Sequence, residues 1–323
     1  MPQAYVDANE FSKIWLSSNS VDEVARKTGT RHDRAIMTRR RRVERELGII
    51  LPSFRDMRGG NFPKTNNVHM DVKPGSTILI GSDRHNLPGR TPQAFLGFLQ
   101  LASEERPDVI VINGDWFDFS DIGRFHRIGW QERPGIDEEL EEGTRLLDEI
   151  RKASPRSKFV FVIGNHDMRY DGILSNRLPQ FENVRGFSLE NHIQQLKGNW
   201  KFCDNITIND TLVIKHRWHG GQHSDWNNVL RSGKNLATGH THHLRIRPHT
   251  DYSGKRYGIE TGMLSDLWDE TFSYIENNPA NWQPGFVFIT VEDNLIIPET
   301  CEMVIDEHHK RWGKCHWRGK WYG

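Results

Sequence analysis

Short apolar runs that each end in glycine or a polar residue recur along most of this chain. From Thr77 onward the stretches "TILIG", "DVIVING", "KFVFVIGN" and "TLVIKH" follow one another. Runs of that length bounded by turn residues predict buried strands. Helical periodicity separates the earlier ones. "TPQAFLGFLQLASEE" reads as a helix with Thr91 as its cap and Pro92 in the first helical position, and "DEELEEGTRLLDEIRKA" reads as another. Strands alternating with helices predict an α/β domain. From about Leu244 the pattern turns to strands alone, with "LRIRPH", "RYGIETG", "FVFITVE" and "NLIIPETCEMVI". Residues 7–48 have a different texture. Phe11, Ile14 and Trp15 share one helical stripe, and Val21, Val24 and Ala25 form a second. Ser20 and Glu23 make a capping box ahead of that second stripe. Gly29 ends it, and a third helix runs to Gly48. The chain therefore divides into a small all-helical unit over 1–50, a linker rich in Pro, Gly and Asn over 51–76, and a larger domain over 77–323.

Composition narrows the picture only a little. The 323 residues suffice for one large domain and one small one. Lys+Arg and Asp+Glu both number 43, so any basic surface must be local. Three cysteines, Cys203, Cys301 and Cys315, do not suggest a disulfide framework and point to a reducing compartment, the cytoplasm, or a host's cytoplasm if a phage encodes the chain. The first residues lack the basic-then-apolar pattern of a secretion signal. No apolar run approaches the ~18 residues of a membrane span, so no membrane partner is expected.

The chemistry gathers where the apolar runs stop. "TILIGSDRHN" delivers Asp83 and His85, and "VIVINGDWFDFS" delivers Asp115 and Asp118. "VFVIGNHDMR" delivers Asn165, His166 and Asp167. "LVIKHRWHGG" delivers His216, with His219 nearby, and "ATGHTHH" delivers His240 and His242. Each piece alone is an ordinary polar turn. Five in series, each at a strand's carboxyl end, aim carboxylate, amide and imidazole groups at one place. Such a donor set suits a pair of borderline divalent cations and does not suit a soft thiolate site.

In this order, D-x-H, G-D-x-x-D, G-N-H-D, a strand-end His and G-H-x-H resemble the motifs of the calcineurin-like metallophosphoesterase superfamily, and the resemblance covers roughly residues 77–300. It implies a two-sheet β-sandwich flanked by helices, carrying two divalent metal ions. Manganese is the first expectation, with iron, zinc, nickel or magnesium as alternatives. The resemblance assigns Asp83, His85 and His242 to one ion and Asn165, His216 and His240 to the other, with Asp115 bridging them. His219, which precedes a glycine, is the alternative to His216, which directly ends an apolar run. A metal-bridging hydroxide is the implied nucleophile. His166 is the implied general acid, with Asp118 and Asp167 orienting histidines. "GDWFDFS" and "GNHD" depart from the serine/threonine protein phosphatase pattern. They look more like metallophosphoesterases of phages and bacteria, some of which resemble the nuclease subunit of double-strand-break repair complexes. Arg124, His126, Arg127 and Arg169 lie close to these motifs as candidate phosphate contacts.

The third helix of the N-terminal unit sharpens the choice of substrate. Ile36, Val43 and Leu47 share one stripe, with Arg34, Arg41, Arg42 and Arg45 roughly opposite. Seven arginines against three acids leave the segment from Thr30 to Gly48 at +4. Three short helices with a glycine turn before a basic last one resemble a helix-turn-helix module, whose arginines would meet DNA phosphates. The competing expectation is a packing or assembly module with a solvated arginine face. At the other end, "CHWRGKWYG" reads either as a last strand or as an aromatic-basic surface for single strands, and His308, His309, Cys315 and His316 lack the paired spacing of a zinc site. The leading expectation is a two-metal phosphodiesterase acting on DNA. A small-molecule phosphatase or cyclic-nucleotide phosphodiesterase stands second. A DNA-binding regulator with a degenerate catalytic domain stands third, and the complete ligand set argues against it.

Overall fold

The computed structural model describes residues 6–18, 20–30, 33–49, 51, 66–123, 133–182, 184–267, 272, 275, 278–293, 295–304 and 313–323. The chain forms two compact units, Met1–Thr65 and Asn66–Gly323.

In the first unit, α1 (Ala8–Leu16), α2 (Val21–Thr28) and α3 (Asp33–Leu47) enclose a small core of Phe11, Trp15, Val24, Ile36 and Val43. Local chemistry sets the ends of these helices. Asp7 Oδ1 accepts the Glu10 amide at 2.8 Å, and Ser20 Oγ accepts the Glu23 amide at 3.2 Å. Gly29 closes α2 in the left-handed region at φ 68°. The basic run on α3 is not uniformly solvated. Arg39 donates to the Val6 carbonyl and lies over the Phe11 ring, and Arg40 pairs with Glu44 and lies over Trp15. Arg41, Arg42 and Arg45 are exposed.

The second unit holds fourteen described strands: β1 (Asn67–Met70), β2 (Ser76–Gly81), β3 (Val109–Asn113), β4 (Lys158–Val162), β5 (Lys201–Cys203), β6 (Asn205–Ile208), β7 (Leu212–Lys215), β8 (Asn235–Thr238), β9 (Leu244–Asp251), β10 (Gly254–Thr261), β11 (Gly285–Glu292), β12 (Leu295–Val304), β13 (Lys314–Trp317) and β14 (Lys320–Tyr322). They form an eight-stranded sheet, β14-β13-β12-β11-β2-β3-β4-β5, and a six-stranded sheet, β1-β6-β7-β8-β10-β9. Strands β2 to β5 run parallel, and β11 to β14 continue the larger sheet antiparallel.

The period-2 alternation of the central strands builds two cores. Ile78, Ile80, Val109, Val111, Val160 and Val162 form one cluster with Ile206, Ile208, Leu212, Ile214 and Ile259 of the other sheet. Leu79, Ile110, Ile112, Phe159 and Phe161 turn the other way. They pack with Phe95, Phe98 and Leu101 of α4 (Gln93–Glu105) and with Leu146, Leu147 and Ile150 of α5 (Ile136–Ala153). Two apolar faces on the same strands are what their unbroken Val/Ile/Phe runs require. The expected sandwich flanked by helices is the fold observed.

Three local expectations need correction. Pro92 is itself the cap of α4 and Thr91 precedes it, because the extended backbone of Pro92 (φ −61°, ψ 148°) needs no amide donor there. The segment over 51–76 is not all linker. Residues 52–65 lie outside the described residues, but Asn67–Met70 pairs in parallel with β6, which brings Val68 and Met70 to the inter-sheet core. "CHWRGKWYG" is a hairpin rather than one strand. Arg318 (φ 46°) and Gly319 (φ 77°) both adopt the left-handed region that a two-residue hairpin turn demands, which pairs Trp317 with Lys320.

Candidate metal centre

Five strand ends from two different sheets meet at one place. Asp83 and His85 follow β2, Asp115 and Asp118 follow β3, and Asn165 to Asp167 follow β4, all in the larger sheet. His216 follows β7 and His240 and His242 follow β8, in the smaller one. Three ligand-type clusters result: Asp83, His85 and His242; Asp115, His216 and His240; and His85, Asp118 and His166. The ligand atoms of each lie within 4.8 Å of one another. Asp83, His85, Asp115, His240 and His242 all have positive φ, between 43° and 71°. Non-glycine residues rarely sit there, and strain of this kind, ~1–3 kcal/mol each, gathers at functional sites. Close approach adds a second constraint. A Cβ on Gly164 would stand 2.1 Å from the Asp115 amide nitrogen, and one on Gly114 would stand 2.6 Å from the His216 ring. The glycines of "NGD" and "GNHD" are therefore part of the geometry.

The donor atoms fit divalent cations. His85 Nε2, His242 Nε2 and Asp83 Oδ1 form a triangle with sides of 3.2, 3.3 and 3.9 Å. Nitrogen and oxygen ligands ~2.0–2.2 Å from one ion stand roughly 3–3.5 Å apart. His216 donates from Nδ1 to the Asn113 carbonyl at 2.7 Å, which leaves Nε2 facing Asp115 Oδ2 at 3.1 Å. Burial opposes charge on that ring. The Asp115 carboxylate outweighs it and pushes the His216 pKa up to about 9, so the pocket demands a positive centre. Asn165 Oδ1 is buried without a hydrogen-bond partner among the described residues, as a ligand oxygen would be. All three cysteines are buried and none belongs to these clusters.

Beside the clusters, Asp118 Oδ1 holds two imidazoles at once, His85 Nδ1 at 3.0 Å and His166 Nδ1 at 2.8 Å. Burial disfavours its charge, but the two rings hold its carboxyl well below the usual range. On the far side of His166, Arg169 reaches Nε2 at 3.0 Å and donates to the Asp118 carbonyl at 2.7 Å.

A family model described as calcineurin-like phosphoesterase matches residues 76–279. The chain belongs to the calcineurin-like phosphoesterase family. The "Gene 54 protein" of Mycobacterium phage D29 is 27% identical to this phosphoesterase over 227 residues, covering 66% of this chain and 87% of the relative. The "Gene 54 protein" of Mycobacterium phage L5 is 27% identical over 228 residues with the same coverage. Among solved structures, a zinc-complexed Vps29 from Entamoeba histolytica has a TM-score of 0.38 at 14% identity, covering 74% of this chain and 97% of its own. The phosphoesterase Yfce from E. coli has a TM-score of 0.33 at 15% identity, covering 68% and 96%. The family uses divalent metals, and the clusters above are where this phosphoesterase carries candidate ligands.

The structure sorts the remaining site expectations. His216, not His219, enters a cluster; His219 stacks on Trp218 in the following loop. Among the described residues Asp167 hydrogen-bonds no histidine. Its carboxylate accepts the amides of Phe117 at 2.9 Å and Gly164 at 2.8 Å, tying the β3 and β4 loops together, and burial with the nearby Asp115 charge pushes its pKa up to about 7. Arg124, His126 and Arg127 lie outside the described residues, as do His308, His309 and the side chain of Arg34.

Two acids of this phosphoesterase carry no sequence motif. Glu139 of α5 is fully buried and accepts the amides of Asp118 (3.1 Å) and Phe119 (2.7 Å), bracing the Asp118 loop from behind. Burial pushes its pKa up to about 8. Glu260 of β10 accepts the hydroxyl of Thr241, between the two β8-loop histidines, at 2.6 Å, and faces Arg245 at 2.8 Å and His243 at 3.3 Å. The only sequence signal for either is an acid set among residues that are otherwise buried or helical.

Proposed function

We propose that this phosphoesterase is a two-metal phosphodiesterase that cleaves DNA. The observation that carries the reading is the convergence of six Asp and His donors from two sheets, with the buried Asn165 Oδ1 at the end of β4, beside the Asp118–His166–Arg169 chain. Asp83, His85 and His242 would hold one cation and Asn165, His216 and His240 the other, with Asp115 between them. Manganese suits the mixed nitrogen and oxygen set. Divalent cations held there supply charge neutralisation at the phosphoryl oxygens and make bound water more acidic.

The chain's own groups do the rest. His166 keeps Nδ1 on Asp118. Burial opposes its charge, yet the Asp118 and Asp115 carboxylates raise its pKa above the ordinary imidazole value. Protonated at Nε2 as well, it can give that proton to a departing alkoxide oxygen. While His166 carries that proton, Nε2 cannot accept from Arg169, whose second guanidinium nitrogen can turn to a phosphoryl oxygen, the role expected for it, while the first stays on the Asp118 carbonyl. The DNA part of the reading draws on the N-terminal unit, where Arg41, Arg42 and Arg45 stand exposed on one helix in a helix-turn-helix-like arrangement.

A second reading, a small-substrate phosphatase whose helices pack or assemble the chain, draws on Arg39 and Arg40, which are spent on contacts within the unit. Bis-p-nitrophenyl phosphate against p-nitrophenyl phosphate, with metals varied, separates diesterase from monoesterase. Cleavage of single-stranded, duplex and nicked DNA with manganese then tests the substrate. Turnover of the diester and of DNA is the expected result. Monoester turnover alone would overturn the reading in favour of the second.

A further inference from the structure

The loop that follows metal-ligand candidate His216 carries an exposed indole. Trp218 is 41% exposed although it lies two residues from a ring that is 2% exposed. Two residues of chain span at most ~7 Å, so Trp218 belongs to the loop that borders the candidate centre. Cations flank it. Lys215 Nζ lies 5.7 Å from the indole centroid, at the outer edge of cation–π contact. Arg217 is exposed beside it.

The loop is also built to stay put. The His219 ring stacks on Trp218 with centroids 5.1 Å apart and planes 29° apart. Asn228, buried on the helix Ser224–Ser232, accepts the His219 amide at 3.0 Å and donates to the His219 carbonyl at 3.2 Å. An exposed tryptophan held in place costs solvation and order unless something covers it. Its cationic neighbours say that the cover is an anion with an apolar face.

Resting on the diesterase reading above, we propose that Trp218 is a stacking platform for an unpaired nucleobase next to the scissile phosphate, with Arg217 and Lys215 on the flanking phosphates, so that the substrate enters as a single strand. A base arriving at the indole exchanges the weak lysine contact for stacking and releases the ammonium to the backbone. A paired duplex offers no free base face there. Aromatic platforms combined with cations are the recurring means of holding single strands without sequence preference.

The test compares a short labelled oligothymidylate with an abasic oligomer carrying the same number of phosphates. Binding to the full-length, manganese-loaded chain is read by fluorescence anisotropy on mixing, and the same samples are run on gels for cleavage. The wild-type chain is expected to favour the thymidylate by about tenfold. Trp218→Ala brings the ratio close to one, and Trp218→Phe keeps most of it. Equal affinity of the wild-type chain for both oligomers overturns the proposal. So does the same ratio in wild type and Trp218→Ala, and so does an equal weakening for both oligomers in that variant. Absence of cleavage with the binding ratio intact sinks the diesterase reading and leaves the platform standing.

Discussion

His216 Nε2 and Asp115 Oδ2 face each other at 3.1 Å across the junction of two sheets. The other ring nitrogen is committed to the Asn113 carbonyl, so a neutral His216 would turn a lone pair toward a carboxylate. Only a positive centre relieves that arrangement. Asp115→Ala removes the carboxylate that both ions would share, and metal and activity are expected to fall together. Elemental analysis checks this: two metals per chain in the variant would refute a bridging role.

His166 is not among the seven ligands proposed for the two cations and tests proton transfer separately. His166→Ala is expected to keep its metals and to slow turnover ~10²–10⁴-fold. The defect should shrink for esters whose leaving groups need no proton. Equal defects on nitrophenyl and alkyl esters would remove His166 from the general-acid role.

Glu139 predicts a pH dependence of stability. Its carboxyl titrates at about 8 in the folded chain against 4.5 ordinarily, because burial penalises the charge. Below the ordinary value both states are protonated and nothing is lost. Between there and about 8 the unfolded chain ionises while the folded one holds its proton, so stability falls with rising pH, by roughly a few kcal/mol in total. Glu139→Gln keeps an acceptor for the Asp118 and Phe119 amides and does not titrate. Melting temperatures of variant and wild type are expected to separate in the variant's favour as pH rises from 5 to about 8. A constant difference across that range would show that Glu139 is charged in the fold.

Three exposed arginines of α3, Arg41, Arg42 and Arg45, carry the DNA part of the reading. Replacing Arg41, Arg42 and Arg45 with Ala should weaken duplex binding and flatten its salt dependence, by ~0.9 in the log–log slope for each DNA phosphate that is no longer neutralised. Hydrolysis of a small diester does not use them. Unchanged affinity and slope, with a changed oligomeric state on sizing, would identify the helices as an assembly element.

What the sequence disclosed and what it hid have the same physical root. Asp83, His85, Asp115, His216, His240 and His242 were legible because each ends an apolar run, and strand ends in such sheets converge. The α/β alternation was legible because Val/Ile/Phe runs buried on both faces need layers on both sides, whereas the two-sheet sandwich was implied by the resemblance of the motifs. Asp167 and Glu139 were not legible in their roles, since both hold backbone amides, and a backbone donor leaves no mark in a sequence. Glu139 sits in the acidic helix start "DEELEE", where its neighbours are solvated and only tertiary packing singles it out. The short strands β1, β5 and β6 lack any run long enough to show. The Arg318–Gly319 hairpin is hidden because it needs two successive left-handed residues and only one of them is glycine.

The Asp83 carboxylate accepts the amide of His240, 157 residues further along the chain, at about 3.0 Å. Loops so far apart in sequence are costly to close and close late. A nascent chain that has released β2, β3 and β4 owns three of the eight strands of the larger sheet but has no complete ion pocket until the β8 loop arrives. Metal capture is therefore tied to the arrival of the β8 loop, and the centre works as a clasp between the early strands of the larger sheet and the later strands of the smaller one.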